Sequence, residues 1–384
     1  MHGITDYGAL IADTVRMGAF TTALKRTVTP GSVVVDLGTG TGIWALIACA
    51  LGARKVYAIE SNDAIEVARA IAAANGFADR IEFHHALSGD VTLPECADVL
   101  VADLAGMLPW FHSGIPSLID ARRRMLAPHG VLIPQRDVVW TAVVEAEEMY
   151  SRHTRAWRGN EFGIDMEAAR DLAVNTWTRG RVTSDQLIAP PRRWCDLDYH
   201  TIENPHAHGT VEWVACRRGV GHGLTLGFDR ILADGVEISN APDRPDTVRP
   251  TLVSEPVFFP WVEAVALDAG DVITAEINGV LVREDYIWSW KTDVRTPSGE
   301  AKASFNQSTF YGTPLSRAAL QKRGSTYVPL LNEEGRMILF VLTLIADRQP
   351  AEQIARRLVS SLPTRFTKPE DALAFVGDIL AQYG

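Results

Sequence analysis

A glycine-rich turn after the first buried strand carries the clearest chemical signal in the chain. The run Val33-Val34-Val35-Asp36-Leu37 is followed by glycines at positions 38, 40 and 42, and then by an apolar helix over residues 43–51. Glycine lets the main chain adopt positive φ and lets a ligand approach where a Cβ would stand in the way. The spacing differs from the G-x-G-x-x-G of dinucleotide binders and lacks the Lys-Ser/Thr that ends a P-loop. The turn therefore predicts a main-chain cradle for a small ligand; the alternative is an ordinary tight strand–helix connection.

An acidic residue ends the next apolar run. Residues 55–59 read K-V-Y-A-I, and Glu60 follows them. In a doubly wound sheet, an acidic residue at the end of the second strand accepts hydrogen bonds from both ribose hydroxyls. The combination of Asp36, the glycines and Glu60 therefore favours a cofactor that contains a nucleoside.

Strands and helices alternate from residue 33 to about residue 134. Predicted strands cover residues 33–37, 55–60, 81–86, 98–103 and 130–133, and predicted helices cover residues 43–51, 63–75 and 113–127. This alternation indicates a parallel sheet whose ligands bind at the carboxyl ends of the strands. It places Glu60, residues 87–90 and Asp103 around one crevice. An amphipathic helix predicted over residues 8–27 carries Arg16, which is either a surface charge or a donor to a ligand carboxylate.

The pattern changes after Pro134. Period-two apolar runs dominate up to about residue 290, and the pairs Asp234-Gly235 and Asn278-Gly279 predict hairpin turns between them. A more helical stretch around residues 150–190 interrupts these runs. Three short helices are predicted over residues 332–345, 351–361 and 370–382, and they form either a small domain or a helical cap. We therefore expect three domains, over residues 1–134, 135–312 and 313–384.

Composition restricts the class of partner. The formal net charge is −10, which argues against a nucleic-acid surface. The four cysteines are scattered without a C-x-x-C pair, as expected of reduced thiols in the cytoplasm. No apolar run approaches the roughly 20 residues that a membrane span needs. His84, His85, His206 and His208 lack a credible set of partner ligands, so we predict no metal site.

The D-x-G-x-G-x-G turn resembles motif I of the class I S-adenosylmethionine (SAM) methyltransferases, and residues 7–295 resemble the protein arginine methyltransferases. Residues 10–16, L-I-A-D-T-V-R, are similar to that family's leading-helix motif M-L-x-D-x-x-R, whose arginine holds the cofactor carboxylate. The resemblance implies a Rossmann-like class I methyltransferase domain, an antiparallel β-barrel domain and a homodimer formed through an arm at residues 150–190. The cofactor-binding residues that we expect are Arg16, Asp36, Gly38, Thr39, Gly40, Gly42, Glu60, Ser61, Ser88, Gly89 and Asp103.

The acceptor loop departs from the family pattern. In the family, two glutamates of this loop clamp the substrate guanidinium; Asp103 and His112 stand at their positions here, and the threonine-histidine-tryptophan loop expected near residues 252–254 is missing. A guanidinium prefers a bidentate carboxylate, for which histidine is a poor replacement. We therefore predict Asp103 and His112 as catalytic residues for an acceptor other than arginine. Asp103 orients the acceptor and His112 takes up a proton; the alternative is that Asp103 only satisfies loop amides.

The C-terminal segment resembles a small winged-helix domain that recognises leader segments of precursor peptides. The likeness rests on residues 331–335, L-N-E-E-G, on the apolar helix that follows, and on Asp347-Arg348-Gln349. It favours a SAM-dependent methyltransferase for a peptide or protein side chain, in the biosynthesis of ribosomal peptide natural products. A small-molecule methyltransferase and a catalytically silent SAM-binding regulatory protein remain as alternatives.

Overall fold

A parallel sheet forms where the alternation of strands and helices predicts it. The computed structural model describes residues 3–159, 161–242 and 252–383. Its five-stranded sheet has the order β3-β2-β1-β4-β5, with every neighbouring pair parallel. The strands are β1 (Val33–Leu37), β2 (Lys55–Glu60), β3 (Ile81–His85), β4 (Ala97–Ala102) and β5 (Leu126–Ile133). All of β1 is buried, as its β-branched run requires.

Five helices accompany this sheet. They are α1 (Ile4–Ala12), α2 (Thr14–Thr27), α3 (Ile43–Ala50), α4 (Ala64–Ala74) and α5 (Gly114–Met125). The prediction of one continuous helix over residues 8–27 is wrong, because the helix is interrupted at Asp13. The main chain of Asp13 is extended, and its carboxylate caps α2 by accepting a hydrogen bond from the Arg16 N–H at 2.9 Å.

Two antiparallel sheets follow, as the period-two runs predict. The strands are β6 (Arg136–Val144), β7 (Thr178–Arg179), β8 (Arg192–Asp198), β9 (Ala207–Val214), β10 (Gly219–Ala233), β11 (Val236–Ser239), β12 (Val257–Leu267), β13 (Val272–Val282), β14 (Asp285–Arg295) and β15 (Ala301–Ser308). One sheet has the order β7-β12-β10-β6-β8 with β11 beside β10, and the other has the order β15-β14-β13-β9. Helices α6 (Glu147–Thr154) and α7 (Glu167–Ala173) lie in the predicted helical interruption.

One of the two predicted hairpin turns is misplaced. Asp234-Gly235 does connect β10 to β11, and Gly235 has a φ of +67°. Asn278 and Gly279 instead lie inside β13, where they pair with Ser289 and Trp288 of β14. Both residues also pair with β9 on the other side, and this pairing on two sides overrides the local turn preference of the dipeptide.

The chain divides into two compact units, residues 1–314 and residues 315–384. In the first unit, apolar side chains of the parallel sheet and of the antiparallel sheets form a continuous core. The second unit contains α8 (Arg317–Gln321), α9 (Glu333–Ala346), α10 (Ala351–Ser361) and α11 (Pro369–Tyr383) around its own apolar core. Residues 315–383 contain no strand, so the winged-helix likeness stays a prediction. None of the helices within the described ranges is long and apolar enough to span a bilayer.

Candidate functional site

Asp36 organises the glycine turn from inside the fold. Its carboxylate is fully buried, and one oxygen accepts hydrogen bonds from the Thr39 hydroxyl at 2.6 Å and the Ala45 N–H at 2.9 Å. The glycines at 38, 40 and 42 all have positive φ, between +53° and +87°. Burial raises the pKa of Asp36 to about 7, although the two hydrogen bonds act in the opposite direction. Asp36 and Thr39 therefore shape the turn.

Glu60 lies at the carboxyl end of β2, facing the glycine turn. One carboxylate oxygen accepts the Gly40 N–H at 2.9 Å, and the other accepts the Asn62 N–H at 3.1 Å. A Cβ at Gly40 would collide with the ring of Tyr7, which α1 brings over the turn. Burial, with a smaller contribution from the negative charge of Glu60, raises the pKa of Tyr7 to about 12. The site is therefore covered by a neutral phenol at the leading helix.

Arg16 extends from α2 into the same region. Its side chain is 11% exposed, and its guanidinium lies 5.0 Å from the centre of the Trp44 ring. It donates to the carbonyl oxygen of Leu10 at 3.0 Å and forms an ion pair with Asp103. Arg16 is thus a partly buried donor to a carboxylate and not a solvated surface charge.

Asp103, which follows β4, lies between two guanidinium groups. One oxygen pairs with Arg16, and the other lies 3.4 Å from an NH group of Arg230 on β10. The side chain of Asp103 is 10% exposed. Asp103 therefore pairs with two guanidinium groups. The structure does not show the predicted alternative, in which this carboxylate binds the amides of its loop.

Arg230 is fixed by a buried partner on the neighbouring strand. Asp137 of β6 is directly opposite Arg230 in the register of β10 and β6. Its two oxygens accept the Arg230 Nε–H at 2.9 Å and an NH2 group at 2.7 Å, and one of them also accepts the Tyr199 hydroxyl at 2.6 Å. Burial and the negative charge of Asp137 hold the pKa of Tyr199 well above its usual value. Arg230, Asp137 and Tyr199 thus form a closed polar cluster beside Asp103.

The remaining predicted site residues have other surroundings. His112 is exposed, has a φ of +44°, and its Nδ1 lies 3.2 Å from the carbonyl oxygen of Glu284. The structure therefore does not join His112 to Asp103. Ser88 is buried beside α5, whereas Ser61 and Gly89 are exposed. Trp110 belongs to the core, where its ring lies 5.3 Å from that of Trp194.

Sequence reasoning missed Arg230 and Asp137, although a signal was present. Each lies beside another charged residue inside an apolar strand: Arg136-Asp137 in β6 and Asp229-Arg230 in β10. In β10 both Asp229 and Arg230 are buried, because both faces of the strand are covered there. An arginine or aspartate is almost never fully buried without a partner, so charged pairs in two apolar strands indicate a buried ion pair.

The chain's own residues fit the SAM cofactor that the sequence predicts. Each oxygen of the Glu60 carboxylate accepts one main-chain N–H, which leaves a second lone pair on each for a ribose hydroxyl. Arg16 already binds a carboxylate, that of Asp103, and a cofactor carboxylate has the same chemistry. The missing Cβ of Gly40 lets another group approach the main chain closely.

The strand order β3-β2-β1-β4-β5, the glycine turn after β1 and the acidic residue after β2 define the Rossmann-like fold of class I methyltransferases. The family model described as ribosomal protein L11 methyltransferase (PrmA) matches residues 16–159. In this chain the antiparallel sheets follow the parallel sheet, and this order restricts the resemblance to one group of these methyltransferases. The chain resembles the protein arginine N-methyltransferases.

Two curated relatives give the extent of this resemblance. The chain is 33% identical over 229 residues to the probable protein arginine N-methyltransferase 6 of Arabidopsis thaliana, covering 57% of this chain and 52% of the relative. It is 39% identical over 195 residues to the protein arginine N-methyltransferase PRMT10 of Oryza sativa subsp. japonica, covering 49% of this chain and 51% of the relative. The chain thus spans about half the length of the curated relatives it matches.

Two solved structures share the fold. Arabidopsis thaliana protein arginine methyltransferase 10 aligns with a TM-score of 0.70 and 22% identity, over 80% of this chain and 97% of that one. The Trypanosoma brucei PRMT1 enzyme–prozyme heterotetrameric complex with AdoHcy aligns with a TM-score of 0.70 and 19% identity, over 79% and 96%.

Proposed function

We propose that this chain is a SAM-dependent methyltransferase that modifies a side chain of a peptide or protein. The observation that carries the proposal is the placement of a carboxylate acceptor and a guanidinium donor at the carboxyl edge of the sheet: Glu60 binds the glycine turn after β1, and Arg16 pairs with Asp103 after β4. The resemblance to protein arginine N-methyltransferases supports both the reaction and the class of acceptor.

Each of these residues has a distinct role in the proposal. The Glu60 carboxylate accepts the ribose hydroxyls, the Arg16 guanidinium binds the methionine carboxylate, and the main chain at Gly38 and Gly40 packs against the methionine part. When bound, the cofactor supplies an electrophilic methyl group on a sulfonium. The chain's contribution is to orient the acceptor and exclude water, because proximity and alignment supply most of the effect in a displacement of this kind.

Three further parts of the proposal concern the substrate, the cellular location and the oligomeric state. The C-terminal unit, residues 315–384, docks a substrate peptide in the biosynthesis of ribosomal peptide natural products. Scattered reduced cysteines favour a cytoplasmic enzyme. The segment at residues 150–190 serves as the arm of a homodimer, and light scattering of the intact protein at micromolar concentration tests this: a monomer contradicts it.

Calorimetry and a label-transfer assay together test the activity. We expect the intact protein to bind SAM and its demethylated product, and to transfer a tritiated methyl group from SAM to a peptide pool. The label is then located by mass spectrometry. A chain that fails to bind either cofactor form contradicts the proposal, and a chain that binds both but labels no peptide is the silent binding protein of the alternative hypothesis.

A further inference from the structure

Arg230 brings a guanidinium of the chain itself to the acceptor carboxylate. It is 3% exposed, and one of its NH groups lies 3.4 Å from Asp103. Asp103 is also the residue that stands where a methyltransferase of this kind would bind the charged end of its substrate. The positive charge of Arg230 therefore affects which acceptor side chain this site can bind.

The position of Arg230 is fixed on its other side. The Nε–H and one NH2 group are bound by both oxygens of Asp137, which is fully buried. A bidentate pair fixes the plane of the guanidinium as well as its distance. Turning Arg230 away from Asp103 would leave the Asp137 carboxylate buried without its charged partner, which is strongly unfavourable. Arg230 therefore stays at Asp103.

A small cavity borders this cluster. Its lining includes Ala102 and Leu104, the sequence neighbours of Asp103, together with Arg230 and Tyr199. Arg230 thus lines a cavity together with residues from both sides of Asp103 in the sequence.

We propose that Arg230 is a specificity-determining residue: its guanidinium occupies the Asp103 oxygen that does not pair with Arg16 and that an arginine substrate would need, so the enzyme takes an uncharged N–H or O–H side chain. This inference rests on the proposed methyltransferase function and narrows its substrate class. Candidate acceptors share one property, a neutral nucleophilic atom, as in a hydroxyl, a phenol, an imidazole or an amide.

The charges of the site agree with an uncharged acceptor. Arg16 and Arg230 carry two positive charges, and Asp103 and Asp137 carry two negative ones. A substrate guanidinium would add an unpaired positive charge beside a sulfonium, at a position where burial makes unpaired charge costly. A neutral acceptor adds none.

The transfer balances in atoms and charge for a neutral acceptor. A bond forms between the acceptor atom and the methyl carbon, and the carbon–sulfur bond breaks with its electron pair going to sulfur. The proton of the acceptor leaves to solvent water. The sulfonium becomes a neutral thioether, and the ion pairs of Asp103 with the two guanidinium groups remain intact.

A matched peptide set tests the acceptor class. The peptides share one sequence, with blocked termini, and differ only in the central residue: arginine, its uncharged isostere citrulline, glutamate, serine, tyrosine or histidine. The intact protein is incubated with each peptide and tritiated SAM. We expect label on one or more of the uncharged residues and none on arginine or glutamate. Label on arginine or glutamate overturns the inference and leaves the methyltransferase function standing.

A binding experiment gives a readout independent of turnover. The arginine and citrulline peptides are titrated into the intact protein saturated with the demethylated product. In the double variant D137N/R230Q both buried charges are removed together, so no unpaired charge remains to unfold the protein. We expect the ratio of arginine to citrulline affinity to rise at least tenfold over wild type, because the Asp103 oxygen that faces Arg230 is then open to a substrate cation.

Two variants serve as controls. Arg230→Lys keeps the internal positive charge and should keep the wild-type preference. Arg136→Gln removes a neighbouring arginine of β6 that pairs with Asp196 at the surface, and should leave the ratio within twofold of wild type. An unchanged ratio in D137N/R230Q, or the absence of any peptide binding in both proteins, overturns the inference. Loss of cofactor binding in wild type would instead refute the proposed function.

Discussion

At the scale of single residues, main-chain donors hold the candidate cofactor site together. Glu60 receives an N–H from the glycine turn and another from the segment after β2. Its carboxylate is therefore oriented before any ligand arrives, and the entropy cost of orienting it is met by folding. The same holds for Asp36, whose bonds to Thr39 and Ala45 tie the turn to the first turn of α3.

Removing the Glu60 carboxylate should weaken SAM binding without unfolding the sheet. Glu60→Ala removes the expected ribose acceptor, at a cost of about 1–3 kcal/mol for a hydrogen bond to a charged group. Calorimetry measures the change. Glu82→Ala, on the adjacent strand β3 and paired with Lys55, serves as the control and should bind as wild type does. Equal affinities for Glu60→Ala and wild type would refute the ribose assignment.

Asp36 should make the first unit less stable as the pH rises towards neutrality. Burial raises its folded-state pKa to about 7, above an unfolded value of about 3.9. The folded chain therefore keeps a proton that the unfolded chain has lost, and the stabilisation is greatest below about pH 4 and lost by about pH 7. From pH 5 to pH 7.5 the loss is about 2–3 kcal/mol.

Asp36→Asn removes this titration, so its stability should vary less over the same pH range. Urea unfolding followed by tryptophan fluorescence measures the difference, since all ten tryptophans precede residue 291 and report on the first unit. If both proteins lose stability equally between pH 5 and pH 7.5, Asp36 is ionised in the folded chain at pH 5.

At the scale of elements, the break between α1 and α2 positions Tyr7 over the glycine turn and Arg16 beside Asp103. Tyr7 lies on α1 and Arg16 on α2, so a change of direction at Asp13 lets both side chains face the site. Asp13 also ties α2 to the antiparallel part, because its second oxygen accepts the Val253 N–H at 2.8 Å. One buried carboxylate thus caps a helix and anchors a distant segment.

Replacing Asp13 by alanine should destabilise the first unit by about 2 kcal/mol. The variant loses an N-cap and leaves the N–H of Val253 without its partner. Tryptophan fluorescence in urea measures the loss. Asp63→Ala is a matched control, because Asp63 precedes α4 without forming a side-chain cap and should change stability by less than about 0.5 kcal/mol. A similar effect of the two substitutions would contradict the anchoring role.

At the scale of the whole molecule, the chain contains two units with separate cores. The second unit buries Val341, Ile354 and Leu358 among the side chains of α9, α10 and α11. Among the described residues, this core is formed by side chains of residues 337–380. A substitution in one core should therefore be felt mainly in its own unit.

Leu358→Ala should destabilise the second unit by about 2–5 kcal/mol, the usual cost of truncating a buried leucine. Faster hydrogen exchange in residues 333–383 would report this loss, while the tryptophan-fluorescence midpoint should not move. Arg357→Ala, at the exposed neighbouring position, should change neither measurement. A parallel shift of the fluorescence midpoint in Leu358→Ala would show that the two units unfold together.

The sequence by itself determined the parallel sheet, the glycine turn and the place of Glu60. These features depend on short-range patterns: a β-branched strand, glycines at fixed spacing, an apolar helix and an acidic residue after the next strand. The change to period-two runs after Pro134 likewise predicted the antiparallel sheets.

Only the tertiary structure decided the surroundings of Asp103. Its partner Arg230 lies 127 positions away in sequence, and Asp137 lies 93 positions from Arg230. Their meeting depends on the register of β10 against β6 and on how the antiparallel sheets pack near the end of β4, which no local pattern encodes. The same long-range packing places the His112 Nδ1 3.2 Å from the carbonyl oxygen of Glu284, which lies between β13 and β14 and 172 positions away in sequence.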